Sequence, residues 1–97
     1  MENITVSKWD AADYIETKED VISYLAAAVE ENDPKFILSA IGDIARSKGM
    51  TQLARELNLD RAGLYRALSE NGNPSFIMIY SLLDTLGFRL KIERKSA

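Results

Sequence analysis

The stretch Met50-Thr51-Gln52-Leu53-Ala54-Arg55-Glu56-Leu57-Asn58-Leu59-Asp60-Arg61-Ala62-Gly63-Leu64-Tyr65-Arg66-Ala67-Leu68 decides how this chain is read. Its small and apolar positions are spaced for two short helices crossing steeply over a tight turn. Leu53, Ala54 and Leu57 share one side of a helix over residues 52–57. Leu64, Ala67 and Leu68 share one side of a second helix that starts at 61 and ends at about 70. Ala54 is small where the second helix must approach closely. Thr51 can cap the first helix and Asp60 the second. Asn58 fits the turn, because Asn takes positive φ more readily than other residues with a Cβ. Two helices joined in this way make the helix-turn-helix arrangement.

Such a packing frees one face of the second helix. By the same periodicity Arg61, Ala62, Tyr65 and Arg66 point away from the core. Arg can bond guanine O6 and N7 with both arms of its guanidinium, and Tyr can reach a phosphate or a thymine methyl. Thr51 and Gln52, at the start of the preceding helix, suit phosphate contacts. Ser69, Asn71 and Asn73 can hold the flanking phosphate. The bland alternative is a solvated face, with Glu70 as the i,i+4 partner of Arg66. Gly63 costs roughly 1 kcal/mol inside a helix relative to Ala, and its missing side chain would let the backbone approach DNA.

Outward toward the N-terminus, Thr17 opens a helix with Glu19 and Asp20 in its first turn, where the helix dipole favours negative charge. Val21, Ile22, Leu25, Ala28 and Val29 recur at helical spacing. Asn32-Asp33-Pro34 ends this helix and starts the next, at about 34–47, whose stripe is Ile37, Ala40, Ile41, Ile44 and Ala45. Gly49 is its expected left-handed C-cap. Residues 1–16 read as a packed arm, with Ile4-Thr5-Val6 as a possible short strand.

Outward toward the C-terminus, Asn71-Gly72-Asn73-Pro74 is a loop. Ser75 caps a fifth helix carrying Phe76, Ile77, Ile79, Tyr80, Leu83 and Leu86, closed by Gly87. Residues 88–94 alternate apolar and charged, the period of a half-buried strand. Its partner would be Ile4-Thr5-Val6 or the same strand of a second subunit. The fold expected is mainly all-α: one repressor-like helix-turn-helix domain of five helices over residues 1–97, with a short C-terminal β-strand. Any apolar remainder exposed on helix five or the final strand would serve a dimer interface.

Composition narrows the function. The chain has 97 residues, no His and no Cys, so a Ser/His/Asp triad, a disulfide framework and a thiolate nucleophile are excluded. No catalytic residues, metal or cofactor are expected. Net charge is −3, but the halves differ: residues 1–45 hold ten acids and three bases, and residues 46–97 hold nine bases and five acids. The positive half contains the helix pair, and the negative half suits a basic partner. No signal peptide or membrane span is apparent, so a cytoplasmic protein is expected.

The run Met50-Thr51-Gln52-Leu53-Ala54-Arg55-Glu56-Leu57 with Leu64-Tyr65-Arg66-Ala67-Leu68 resembles the Xre/Cro phage-repressor superfamily. Three stretches look more narrowly like HigA-like addiction module antidotes: Tyr24-Leu25 through Asp33-Pro34; Ala40-Ile41-Gly42-Asp43-Ile44-Ala45-Arg46 through Ala54; and Leu64 through Ser69 with Gly72-Asn73-Pro74. The resemblance spans roughly residues 9–93. It implies an antitoxin that neutralises a RelE/ParE-type toxin and, as a homodimer on double-stranded operator DNA, represses its own operon. A stand-alone Xre/Cro-type repressor without a toxin is the alternative. Residues 60–63 depart from the Ser/Thr-Arg-Glu-Ser pattern expected there, so the operator sequence does not carry over. Such toxins are basic, so the implied toxin-binding residues are Trp9, Asp13, Tyr14, Glu19, Asp20, Glu30 and Glu31.

Overall fold

A computed structural model describes residues 15–96. The helices are α1 (Lys18–Glu30), α2 (Pro34–Lys48), α3 (Met50–Glu56), α4 (Arg61–Ala67) and α5 (Phe76–Thr85). The expected residues 4–6 strand and the candidate partner residues Trp9, Asp13 and Tyr14 lie outside the described residues. The last residues of the expected arm are docked: Ile15 is buried, and the Glu16 backbone N–H donates to the Asp20 carboxylate at 3.1 Å.

Helix boundaries follow local chemistry. Thr17 and Asp20 form a reciprocal capping box. The Thr17 hydroxyl accepts from the Asp20 N–H at 3.0 Å, and the Asp20 carboxylate accepts from the Thr17 N–H at 3.1 Å. Asp33 accepts from Lys35 N–H at 3.0 Å with Pro34 in the first turn, and Ser75 accepts from Met78 N–H at 3.0 Å. Gly49, at φ +112°, ends α2 and starts α3 in one residue. A side chain is strained at that φ, so only glycine joins two helices there without a linker. Thr51 is therefore no cap: α3 begins one residue before it, and Gly49 leaves no side chain to cap that end.

α4 ends at Ala67, about three residues before the expected end. Ser69 turns back on Arg66 through both its N–H (3.3 Å) and its hydroxyl (2.8 Å), a local competitor for the helical hydrogen bonds. The following loop closes through Gly72 N–H to Ser69 O at 2.8 Å.

No strand occurs among the described residues, which corrects the strand expected over 88–94. Alternation determines which side chains share a side; a strand also needs a neighbouring ladder, and none of the described residues supplies one. Phe88 is held instead by its N–H to Leu83 O at 2.8 Å and packs on the core, whereas Ile92 is 96% exposed.

The main core joins α2 (Ile41, Ala45), α3 (Met50, Leu53, Ala54), α4 (Leu64), Leu68 and α5 (Leu82, Leu83). A smaller cluster of Ile15, Val21 and Ile44 fastens α1, with Leu25, Leu86 and Phe88 packed against both clusters and Tyr24 against the smaller one. Polar groups also bridge α1 and α2. The Tyr24 hydroxyl of α1 donates to the Asp43 carboxylate of α2, and Arg46 pairs with the same carboxylate. The Gly42-Asp43-Ile44-Ala45-Arg46 run thus has a structural job. Gly42 admits the Leu68 backbone, Asp43 holds α1, and Ile44 and Ala45 are buried.

Candidate nucleic-acid interface

α3 and α4 pack as the sequence spacing requires. Leu53 and Ala54 on one and Leu64 on the other are buried, and Leu68 closes the pair. The turn between them is fixed by backbone bonds. Leu59 N–H reaches Ala54 O at 2.8 Å and Asn58 N–H reaches Arg55 O at 3.2 Å, with Asn58 at φ +60° as expected of it. Asp60 then starts α4, its carboxylate accepting from Gly63 N–H at 2.6 Å. This cap explains Gly63. A Cβ there would lie 2.5 Å from the Asp60 carboxylate oxygen, so a larger residue must displace the cap.

With Leu64 held inward, Arg61, Ala62, Tyr65 and Arg66 share the outer side of α4, and all four are exposed. The Arg61 guanidinium lies over the Tyr65 ring, 5.4 Å from its centroid. Neither Arg61 nor Arg66 makes an ion pair among the described residues, so the alternative pairing of Arg66 with Glu70 is not formed. Both guanidinium groups keep donors for an external acceptor.

The flanking candidates divide. Thr51 and Gln52 are exposed on α3, but the Gln52 amide donates to Glu56 at 3.1 Å. Ser69, Asn71 and Asn73 are exposed beside the end of α4. The Ser69 hydroxyl donates its proton to Arg66 O, which leaves its oxygen free to accept rather than to donate to a phosphate. Gly72 is indispensable to this loop: a Cβ there would fall 2.2 Å from Ala67 O and 2.6 Å from Arg66 O, both backbone atoms.

Charge is distributed differently from the halfwise balance. Residues 50–73 hold Arg55, Arg61 and Arg66 against Glu56, Asp60 and Glu70, a local balance of zero. The positive excess of the second half sits instead at the end of α2 (Arg46, Lys48) and in residues 89–95. The outer face of α4 is nevertheless cationic, since its two arginines are its only charges and Asp60 is turned to the helix end.

The candidate toxin-binding acids do not converge. Glu19 and Asp20 stand at the start of α1, and Glu30 and Glu31 at its end, roughly 16 Å away along the axis. Between them runs an exposed strip, Ile22, Ala26 and Val29, at i, i+4 and i+7. Asp20 is committed to capping. The N–H groups of Glu16 and then Thr17 hold its carboxyl below the usual Asp range. Sequence reasoning took Asp20 for dipole complementation and for toxin binding and missed the capping box, although Thr-x-x-Asp is a legible variant of the capping-box spacing. The Tyr24–Asp43 contact had no local signal, because its partners are far apart in sequence.

Among the described residues no helix is long and apolar enough to cross a membrane. The model of a family described as "Probable addiction module antidote protein" matches residues 5–94. The chain belongs to that family. The chain is also similar to an uncharacterized protein of Haemophilus influenzae (strain Rd), 36% identical over 86 residues that cover 89% of each chain. No solved structure matches the chain. The family match covers α1 to α5 together and is not confined to the α3–α4 pair.

Proposed function

We propose that this chain is the antidote of a two-protein addiction module. In this reading it neutralises a RelE/ParE-type toxin and, bound as a homodimer to double-stranded operator DNA, represses the operon that encodes both. It works as an Xre/Cro-type helix-turn-helix protein of the HigA-like kind. The observation that carries the DNA half is the outer side of α4, where Arg61, Ala62, Tyr65 and Arg66 stand together, exposed, with neither guanidinium in an ion pair among the described residues. In the major groove Arg61 and Arg66 read guanine edges, Ala62 lets the helix lie against a thymine methyl, and Tyr65 reaches a phosphate. Thr51 and Gln52 on one flank, with Asn71 and Asn73 on the other, fix the register on the backbone, and Ser69 joins them by turning its hydroxyl from Arg66 O to a phosphate.

Membership of the antidote family supports the toxin half. The surface we assign to it is the outer side of α1, where Glu19 at one end and Glu30 and Glu31 at the other flank Ile22, Ala26 and Val29. A basic partner with an apolar centre matches that pattern. Co-expression decides this half. The neighbouring reading frame, expressed alone, should arrest growth, and this chain should restore it. Restoration lost in Ile22→Asp supports the assignment of α1. A chain that binds its operator but has no toxic neighbour to neutralise is a stand-alone repressor.

A further inference from the structure

α5 buries one side and shows another. Leu82 and Leu83 are buried, whereas Phe76 (69% exposed), Ile77 (75%) and Tyr80 (54%) stand at i, i+1 and i+4 on the outer side. The Phe76 and Tyr80 rings lie 6.2 Å apart. Leu90, also exposed, extends the patch: Tyr80, Asp84, Arg89 and Leu90 line one shallow depression.

We propose that this face is where two copies of the chain meet. The inference rests on the dimer of the proposed function and locates it. Two arguments favour a second copy over a different partner. The first is area. At these exposures the four apolar side chains show roughly 400–500 Å² per copy, so two copies would bury roughly 900 Å² from them alone, close to the about 1,000 Å² that a specific interface should clear. The second is charge. Residues 74–83 carry no charge, unlike the acid-flanked face of α1, so a basic partner finds nothing to pair with here. The charges lining the depression are one acid and one base, Asp84 and Arg89, so its rim is neutral and does not repel a second copy. Phe76, Ile77, Tyr80 and Leu90 are distinct from the reading residues of α4, so the interface does not use the arginines.

The test uses the full chain without DNA. Sedimentation equilibrium should give a dimer for the wild type, a monomer for Ile77→Asp, and a dimer for Ile22→Asp on α1. Because Ile77 is exposed, its variant should keep the helical circular dichroism of the wild type; if it does not, Tyr80→Lys decides in its place. The chain has no Cys, so single cysteines report proximity without background. Under mild oxidation Ile77→Cys should cross-link and Ile22→Cys should not. A monomeric wild type, a folded Ile77→Asp that still dimerises, or equal cross-linking at both positions would overturn the inference. A dimer that ignores its operator would overturn the DNA reading and leave this interface standing.

Discussion

The Arg61 guanidinium lies 5.4 Å from the centroid of the Tyr65 ring, one turn further along α4. A stacked guanidinium keeps its edge donors while losing part of its rotational freedom, so the pair presents a partly ordered hydrogen-bonding edge at the surface. Tyr65→Ala should release Arg61 and weaken operator binding, and Tyr65→Phe should keep the stacking and lose only the hydroxyl contact. The affinity order wild type, Phe, Ala in a DNA titration checks this. Equal losses in Phe and Ala would show that the hydroxyl alone matters.

Gly72 should be the least replaceable residue of the loop after α4. A methyl group there meets the backbone oxygens of Ala67 and Arg66 rather than a movable side chain. Gly72→Ala should cost about 1–3 kcal/mol by the forced shift, read as a lower midpoint in urea unfolding. Gly63→Ala meets the flexible Asp60 carboxylate instead and should cost less. The reverse ranking would contradict both contacts.

The Tyr24 hydroxyl and Asp43 carboxylate tie α1 to α2 in a partly buried setting. Tyr24→Phe keeps the ring and removes the donor, so a loss of about 1.5–3 kcal/mol is expected, the range for hydrogen bonds to charged groups. Leu64→Ala, at a fully buried position linking α4 to the core, should cost about 2–5 kcal/mol. If Tyr24→Phe leaves chemical unfolding unchanged, the contact adds nothing to the α1–α2 junction.

Asp20 gives a pH signature of definite sign. The N–H groups of Glu16 and Thr17 lower its pKa in the folded chain. A depressed carboxylate stabilises the fold above its unfolded pKa, and the contribution disappears as pH falls through the folded one. Asp20→Asn should therefore melt below the wild type at neutral pH. The gap should close only below the ordinary Asp range. A gap of constant size down to the lowest pH at which the chain folds would rule out the assignment.

Local chemistry was readable in the sequence wherever a residue acts on its own neighbours. Thr17, Asp33, Asp60 and Ser75 cap the helices they precede, Asn58 takes the positive φ of the turn, and Leu53, Ala54 and Leu64 face the core. What depends on distant partners was not readable. The 88–94 alternation names a possible strand but cannot supply a ladder for it. Tyr24 reaches Asp43 only because α1 and α2 pack. Thr51 has the chemistry of a cap, yet Gly49 ends one helix and starts the next before it. Within the candidate interface, periodicity found the outer side of α4. It did not reveal that Ser69 is engaged locally, nor that the arginines belong to a segment of zero balance.

The DNA-reading role of α4 is the central claim, and fluorescence anisotropy at physiological salt tests it most directly. The probes are the duplex upstream of the chain's own reading frame and a shuffled duplex of equal composition. The account predicts at least about a thousandfold preference for the upstream duplex. It also predicts that Arg61→Ala and Arg66→Ala each cost about 1–3 kcal/mol on that duplex, with little change on the shuffled one. Equal affinity for the two duplexes, or a double arginine variant that binds the upstream duplex like the wild type, would contradict it.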